Sequence, residues 1–414
     1  MLNKYINKLK SRIFKDFTLN IIATLLLTLA TQILAYPYLS RFLSSEEYGL
    51  MLTIMGVVNV IGVSLGNPLN NTRLLLQSEY EEKHLNGDYN LMFCFIFIVN
   101  IIAVPTLTSI ILKDFNFTVV GCTLISSLLL FRAYYSVSYR IVINYKKTLY
   151  VSVFGFIGYI LGIIITYITQ IWVFTFILGE LFACIYIFFT AKVLHDRFKC
   201  TPLFKKTIKK YLYIFSAAVL STLITYMDRF YIYPVLGAEQ VAIYNVASFL
   251  GKTVGIVMIP ITGVLLTYYA KETRLTIKQF YARVGSFTIV TFFFYIITIL
   301  VGIPIIKLLY PTLASSALPY FYIANLVAAV FILGNTIQPT LLRFCNAMWQ
   351  PIIQGVYFLL YILLGFLGMS KYGLMGFCYS ILIVNFLKII LMLVITTFSL
   401  KKHQKKGDGN FVSN

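Results

Sequence analysis

The sequence predicts an all-α polytopic membrane protein, with twelve transmembrane helices arranged as two parallel six-helix lobes around a central cavity. Of its 414 residues, 59% are apolar and only 12% are charged, and the mean hydropathy is +0.85. A helix needs about 20 apolar residues to cross the hydrocarbon core, which admits only helices or closed barrels. The apolar runs are too long for alternating barrel strands. The predicted spans are 19–41, 50–72, 91–112, 118–142, 150–170, 172–193, 211–235, 241–268, 284–306, 318–341, 350–369 and 373–398.

The positive charges predict the orientation of these spans. If the spans alternate in direction, 26 of the 34 Lys and Arg residues fall on the side of the N-terminus and four fall on the other side. Because basic residues in short loops remain in the cytoplasm, both termini are predicted to be cytoplasmic. The net charge of +20 also predicts attraction to anionic membrane lipids. Nucleic-acid binding is disfavoured, because no basic patch is gathered on a soluble module.

The connections between spans are too short for a soluble catalytic domain. The longest lie near 73–90 and 194–210, which argues against a polysaccharide polymerase or a glycan ligase with a large outer loop. Six cysteines are scattered without paired spacing, and the three histidines fall in inner loops or in the tail. We therefore expect no metal site and no cofactor, and a protein that is not an enzyme.

The chain repeats itself at a shift of 193 residues, at which Leu43–Met51 aligns with Leu236–Tyr244. Six spans return the chain to the same side, so the halves are predicted to be parallel repeats related by an axis along the membrane normal. The predicted domains are an N-terminal lobe 1–193, a basic cytoplasmic linker 194–210, a C-terminal lobe 211–398 and a basic cytoplasmic tail 399–414. Aligned pairs include Thr28 with Ser221, Gln32 with Thr225, Asn59 with Lys252 and Gly62 with Gly255.

Charged side chains inside the spans mark the candidate site. A charge near the bilayer centre costs from about 3 to more than 10 kcal/mol, so it faces a protein interior or a wet cavity. Four cations within spans face two carboxylates. Two cations remain even if both carboxylates pair, and a bound anion, water or loss of a proton must compensate. The predicted anion-binding residues are Arg132, Lys252, Lys388 and Arg140, with Arg132 first because arginine binds phosphate in a bidentate way.

Two alternatives stay open for these cations. Arg132 or Lys252 pairs internally with Glu180 or Asp228, or the long stem of Lys388 lets its charge reach the membrane surface. Asp228 and Arg229 lie about five residues inside the outer end of span 7, which favours a gate or a contact between lobes.

Polar residues at helical spacing in spans 1, 4 and 7 predict the lining of the cavity. The alternative is hydrogen bonding between helices. Prolines predict hinges or static kinks. The predicted lining residues are Thr28, Gln32, Asn59, Ser136, Ser221 and Thr225; the gate or coupling residues are Asp228, Arg229 and Glu180; the hinges are Pro37 and Pro260.

The segment from Leu39 to Gly49, with its counterpart from Asp228 to Tyr244, resembles the polysaccharide repeat-unit flippases. This Wzx-type family of O-antigen, capsule and teichoic acid transporters belongs to the multidrug/oligosaccharidyl-lipid/polysaccharide exporter superfamily. The resemblance covers essentially the whole chain in span count and halves. Members often have an Asp-x-Gly pattern late in span 2, where this chain has Ser64-Leu65-Gly66-Asn67, so no acidic role is expected there.

The resemblance implies a flippase that moves undecaprenyl-diphosphate-linked oligosaccharides across the bacterial cytoplasmic membrane by alternating access. Arg132, Lys252 and Lys388 would hold the diphosphate or acidic sugars. Coupling to a proton or sodium gradient, through Asp228 or Glu180, is left open, and a polysaccharide polymerase and glycosyltransferases are candidate partners. One alternative is a multidrug-type cation antiporter, which would need an acidic cavity. The second is a non-transporting membrane scaffold for glycan-synthesis enzymes.

Overall fold

The computed structural model describes residues 18–270, 272, 274–346 and 348–406, and in this part of the chain the regular structure is helical without any strand. Ten of its helices are long and apolar enough to cross a membrane. The helices are α1 (Thr18–Phe42), α2 (Ser45–Glu82), α3 (Asp88–Leu112), α4 (Phe117–Ile141), α5 (Tyr145–Thr169), α6 (Val173–Thr190), α7 (Phe204–Leu236), α8 (Ala238–Ala247 and Phe249–Ala270), α9 (Ile277–Leu309), α10 (Ala314–Phe344) and, within Trp349–Lys406, α11 and α12.

The last helical stretch contains two spans joined by a tight turn. Tyr372 has φ −132° and Gly373 has φ 57° and ψ −143°, a conformation that favours glycine. The turn separates α11 (349–371) from α12 (374–406). A Cβ on Gly368 would lie 2.5 Å from the carbonyl oxygen of Gly376, so the two helices cross at bare backbone. With α8 as a further crossing, the described residues match the predicted twelve-span, all-α fold, which is confirmed.

Several helices depart from the predicted spans at their ends or in their regularity. The second span was predicted over 50–72, but α2 runs from Ser45 to Glu82, because a helix can continue into water beyond the apolar stretch that hydropathy detects. α1 has a π-helical segment over Leu29–Ala35 immediately before the buried Pro37. α4 is interrupted at Ser136, between Phe117–Tyr135 and Val137–Ile141. Such irregular turns redirect side chains and are common at functional positions.

Contacts between Cα atoms divide the chain into two compact units. Unit 1 comprises Met1–Phe42 and Leu50–Tyr231, and unit 2 comprises Leu43–Gly49 and Ile232–Asn414. In unit 1, α4 packs on α3 and α6, and α5 packs along α6. In unit 2, α10 packs on α8, on α9 and on the α11–α12 hairpin. The boundaries of the predicted lobes, linker and tail stay a prediction.

Glycines allow neighbouring helices to approach closely within each unit. A Cβ on Gly158 of α5 would lie 2.8 Å from the Cβ of Phe182 on α6. In α2, a Cβ on Gly62 would lie 2.9 Å from the carbonyl oxygen of Ser126 on α4, and its repeat mate Gly255 in α8 faces Ile332 of α10 at 3.6 Å. Small residues at such crossings are how helices pack in a membrane, where hydrophobic burial adds little between helices.

The basic linker folds back onto unit 1 through two carboxylates. Asp88, fully buried at the start of α3, accepts hydrogen bonds from the backbone nitrogen of Thr201 at 2.6 Å, from the Thr201 hydroxyl, and from the Tyr80 hydroxyl at 2.5 Å. Asp196 of the linker pairs with Arg73 of α2. Each carboxylate satisfies donors that would otherwise be buried without partners, so the linker is held against the end of the bundle.

Candidate functional site

Arg132 forms an ion pair within unit 1. Its Nε donates to Oε2 of Glu180 at 2.6 Å and its Nη2 donates to Oε1 at 3.2 Å. The Tyr159 hydroxyl also donates to Oε1 of Glu180, at 3.1 Å. Three helices, α4, α5 and α6, therefore meet around one buried carboxylate. Of the alternatives that the sequence left open for Arg132, the internal ion pair with Glu180 is the one found in the structure.

Arg140 binds to a different helix from Arg132. Its Nη1 donates to Oδ1 of Asn70 at 2.7 Å and to Oδ1 of Asn71 at 3.0 Å, and Nδ2 of Asn70 donates to the Ser136 hydroxyl at 3.2 Å. The periodicity of span 4 predicted one face for both arginines and Ser136. The interruption of α4 at Ser136 turns the following residues toward α2, so the structure brings Arg140 and Ser136 together but not Arg132.

Arg229 links α7 to α2 in unit 1. Its Nη1 donates to the carbonyl oxygen of Leu52 at 2.9 Å, and its guanidinium lies 5.2 Å from the ring centroid of Tyr226. A Cβ on Gly56 would lie 3.2 Å from the ring of the adjacent Phe230. Asp228 and Arg229 are 6% and 7% exposed, so both charges are enclosed by protein.

Lys388 of α12, in unit 2, is a buried cation with aromatic neighbours. It is 5% exposed, and its Nζ contacts two neighbouring aromatic rings, 4.7 Å from the centroid of Tyr357 and 5.1 Å from that of Phe331. No described residue gives it a hydrogen bond or an ion pair. One turn earlier on the same helix, the buried Oδ1 of Asn385 also has no hydrogen-bond partner. Cation–π contact recovers only about 0.5 to 2 kcal/mol, less than a buried ammonium loses in hydration.

A chain of four buried aromatic residues, here called the aromatic ladder, joins Lys388 to Lys252. Lys252 Nζ lies 4.9 Å from the ring centroid of Tyr244 in α8. The ladder then continues by ring contacts through α12 and α11, and its end residue Tyr357 contacts Lys388. Its residues and centroid distances are Tyr244–Phe377 at 5.3 Å, Phe377–Tyr361 at 6.0 Å and Tyr361–Tyr357 at 6.0 Å.

The electrostatics of unit 2 favour an anion at this ladder. The helices α8 to α12 contain two lysines at the ladder and a single acidic residue, Glu239, in the first turn of α8. The carboxylates inside the spans are instead Glu180 and Asp228, in unit 1. The site can therefore supply ammonium groups and aromatic faces, but no general base from a nearby carboxylate.

Of the predicted lining residues, Thr28, Thr225 and Asn59 form side-chain hydrogen bonds within their own helices. Thr28 donates to the Thr24 carbonyl oxygen at 2.8 Å, and Thr225 to that of Ser221 at 3.0 Å. Asn59 Nδ2 donates to the Met55 carbonyl oxygen at 2.7 Å. Their role as lining stays a prediction, as does that of Gln32, which is half-buried. Pro260 lies in α8, but its side chain falls outside the described residues.

The aromatic ladder and the Tyr159 contact were not predicted from the sequence. One signal was available, because Tyr244 and Lys252 are eight residues apart and so share a helical face. The other rings come from helices whose relative placement has no sequence signal. A search of the described part of the chain found no group of three or more His, Cys, Asp or Glu residues placed to hold a metal ion.

Comparisons with known proteins agree on the fold. The structure is similar to the lipid II flippase MurJ in an inward closed conformation, with a TM-score of 0.62 and 16% sequence identity over 98% of this chain and 93% of that chain. It is also similar to an inward-facing multidrug resistance MATE family transporter of the MOP superfamily, with a TM-score of 0.61 and 12% identity over 94% and 96% of the two chains. A MATE protein in complex with MaD3S gives a TM-score of 0.63 and 13% identity over 95% and 96%.

No protein-family model and no curated protein sequence matches this chain. The identities to the solved structures are low, so these likenesses establish the fold alone. The chain has the helical fold of these solved structures.

Proposed function

We propose that this chain is a flippase that moves undecaprenyl-diphosphate-linked oligosaccharides across the bacterial cytoplasmic membrane, for synthesis of a surface polysaccharide. The observation that carries the proposal is Lys388, a buried ammonium group in contact with two aromatic rings and with no polar partner among the described residues. A phosphate or an acidic sugar would supply the missing charge. The fold, shared with a lipid II flippase and with MATE transporters, supports transport as the activity.

The aromatic ladder suits the rest of such a headgroup. Aromatic faces with a few placed polar groups are typical of ligand sites, and sugar rings present apolar faces that stack on them. Lys388 and Lys252, at the two ends of the ladder, would hold anionic groups. The rings of Tyr357 and Tyr244 would lie between these two lysines and the sugars. Arg132 and Arg140 remain candidates for contact with the substrate at other depths, although both have protein partners in this structure.

The remaining elements have proposed roles in alternating access. Asp228 and Arg229 are the candidate gate, because Arg229 ties α7 to the backbone of α2, and a hydrogen bond of that kind can break and re-form. The π-helical segment before Pro37 makes α1 a candidate hinge. Both termini and the basic linker are proposed to be cytoplasmic on the distribution of Lys and Arg. Coupling to a proton or sodium gradient and partnership with glycosyltransferases or a polymerase extend the same proposal.

A multidrug-type antiporter is the rival function, because MATE transporters share the fold. Export of organic cations needs acidic groups, and the helices of unit 2 place lysines where such groups would be needed. Cells that express the chain should therefore show no added efflux of cationic dyes.

The proposal is tested by replacing Lys388 with methionine, which keeps the length of the side chain and removes the charge. Proteoliposomes would contain a fluorescent polyprenyl-diphosphate oligosaccharide, and a membrane-impermeant quencher would report how fast it crosses. Loss of a charge-assisted bond of about 1.5 to 3 kcal/mol should slow transport roughly 10- to 100-fold. Removing an unpaired buried charge should leave folding intact or improve it.

Two controls separate a role of the charge at this position from general effects. Lys388→Arg keeps a cation and should retain part of the activity. Lys371→Met makes the same change at the exposed last residue of α11 and should transport normally. Normal transport by Lys388→Met would contradict the proposed site.

A further inference from the structure

Unit 2 contains a groove between α8, α9 and α10. The space between these helices, including the open region at the mouth of the groove, is about 340 Å³, and its lining includes Val254 and Met258 of α8, Phe294 of α9, and Ala329 and Ile332 of α10. α8 and α9 make few contacts with each other, because both pack mainly on α10. The groove is thus a gap between two helices that share a third as their support.

Three of the four polar side chains in the lining, Asn325, Thr298 and Tyr295, form hydrogen bonds within the protein, and the fourth, Thr291, adds one hydroxyl. Asn325 Nδ2 donates to the carbonyl oxygens of Ala247 and Phe321, both at 2.8 Å, and its Oδ1 accepts from the backbone nitrogen of Gly251 at 2.8 Å. The Thr298 hydroxyl donates to its own helix. The groove therefore offers apolar contact to a ligand and little hydrogen bonding, which suits a hydrocarbon chain rather than a sugar.

The groove lies beside one cation of the candidate site. Gly251 lines the groove, and the next residue, Lys252, carries its ammonium group over Tyr244. Successive residues of a helix differ by about 100° in direction and 1.5 Å in height, so Lys252 leaves α8 on the face next to the groove. A ligand that contacts both must join an anionic group directly to an apolar chain.

We propose that this groove binds the first isoprene units of the polyprenyl chain of the lipid-linked substrate, while Lys252 holds its phosphate. The inference rests on the proposed function and names where the lipid portion is held. α9 exposes large apolar side chains along its length, including Phe293 at 61% and Leu300 at 73%, a surface that meets lipid in a bilayer, so a chain can enter sideways.

The experiment uses the full chain in proteoliposomes and a polyprenyl phosphate that carries a photoreactive diazirine near the phosphate. After illumination, mass spectrometry maps the labelled peptides. We expect labels on α8, α9 and α10 around Val254, Phe294 and Ala329, displaced by unlabelled polyprenyl phosphate but not by excess phosphatidylglycerol. Labels spread evenly over the exposed surface, or equal displacement by phosphatidylglycerol, would show an ordinary lipid contact and overturn the inference.

Two variants test the position of the chain. Ala329→Phe fills the groove from α10 and should lower labelling of the groove about tenfold. Leu300→Phe adds a ring on the lipid-exposed face of α9 and should leave labelling unchanged. Val254→Phe fills the same space from α8, which keeps the test available if Ala329→Phe does not fold. Undiminished groove labelling in the filled variants would overturn the inference.

The outcome is separable from that of the proposed function. If the groove is labelled as expected but no lipid-linked oligosaccharide crosses the membrane, the tail site stands and the flippase proposal fails. If the oligosaccharide crosses normally while the groove is unlabelled, the flippase proposal stands and the tail site fails.

Discussion

Replacing Arg132 by alanine measures whether its charge serves the protein interior. Glu180 is 5% exposed on its side chain, against 26% for Arg132, so the variant would leave a buried carboxylate whose remaining donor is the Tyr159 hydroxyl at 3.1 Å. The converse change, Glu180→Ala, leaves the guanidinium without its two hydrogen bonds. Either change leaves one charged side chain without its ion-pair partner.

The expected cost follows from the two hydrogen bonds of the pair. Breaking one partner of a buried ion pair costs about 3 to 5 kcal/mol. Replacing both residues by methionine removes the stranded charge as well, and the free energy of unfolding should return to within about 1 kcal/mol of the original protein or exceed it. Because each single variant should cost at least about 3 kcal/mol and the double variant at most about 1 kcal/mol, the coupling between Arg132 and Glu180 should be about 5 kcal/mol or more.

The assay compares unfolding in detergent for the original protein, Arg132→Met, Glu180→Met and the double methionine variant, since methionine at either position leaves the partner charge unpaired just as alanine does. Strictly additive effects would refute the pairing. The same four proteins are then measured for transport of the lipid-linked oligosaccharide. Normal transport by the double variant would assign Arg132 to the interior. A stable double variant that does not transport would restore the substrate-binding role first predicted for Arg132.

Two other predictions concern packing in unit 1. Asp88→Ala leaves the buried donors of Thr201 without their acceptor and should lower the free energy of unfolding by about 2 to 4 kcal/mol. We expect faster trypsin cleavage in the basic linker. Unaltered cleavage would show that Asp88 does not hold the linker in place. Gly158→Val should lower the melting temperature, because its Cβ would crowd Phe182 at 2.8 Å. Gly285→Val is the control, since its Cβ meets nothing within 4 Å, and it should change the melting temperature far less. Equal shifts for the two variants would contradict the packing argument.

Hydropathy predicted the twelve crossings well because the thickness of the bilayer sets the length of an apolar run. It could not predict where each helix ends, because the ends lie in water or among headgroups, where apolar character is no longer required. It also could not predict the interruption at Ser136, which places Arg140 on Asn70 and Asn71. A periodic pattern assumes an unbroken helix, and local breaks depend on packing between helices.

Sequence position gives the depth of a charge in the membrane but not its direction. Arg132 and Lys388 had similar predicted depths, yet one meets a carboxylate and the other meets two aromatic rings. The difference depends on which helices lie alongside, and no residue pattern in α4 or α12 encodes that. Counting charges predicts that two cations remain after Glu180 and Asp228 are assigned, and this stays a prediction.

The repeat positions of Asn59 and Lys252 support the proposal that the anion site lies in unit 2. The neighbouring repeat glycines, Gly62 and Gly255, both face a partner helix in their own unit, so the two α-helices have comparable settings. Yet Asn59 bonds back to its own helix, while Lys252 directs a charge over Tyr244. Asn59 of α2 and Lys252 of α8 are thus at equivalent repeat positions, and only Lys252 carries a charge. An amide recognises an anion far less strongly than an ammonium group does. We therefore expect charge reversal at Lys252 to impair transport. A lysine introduced at Asn59 should not restore the transport that is lost.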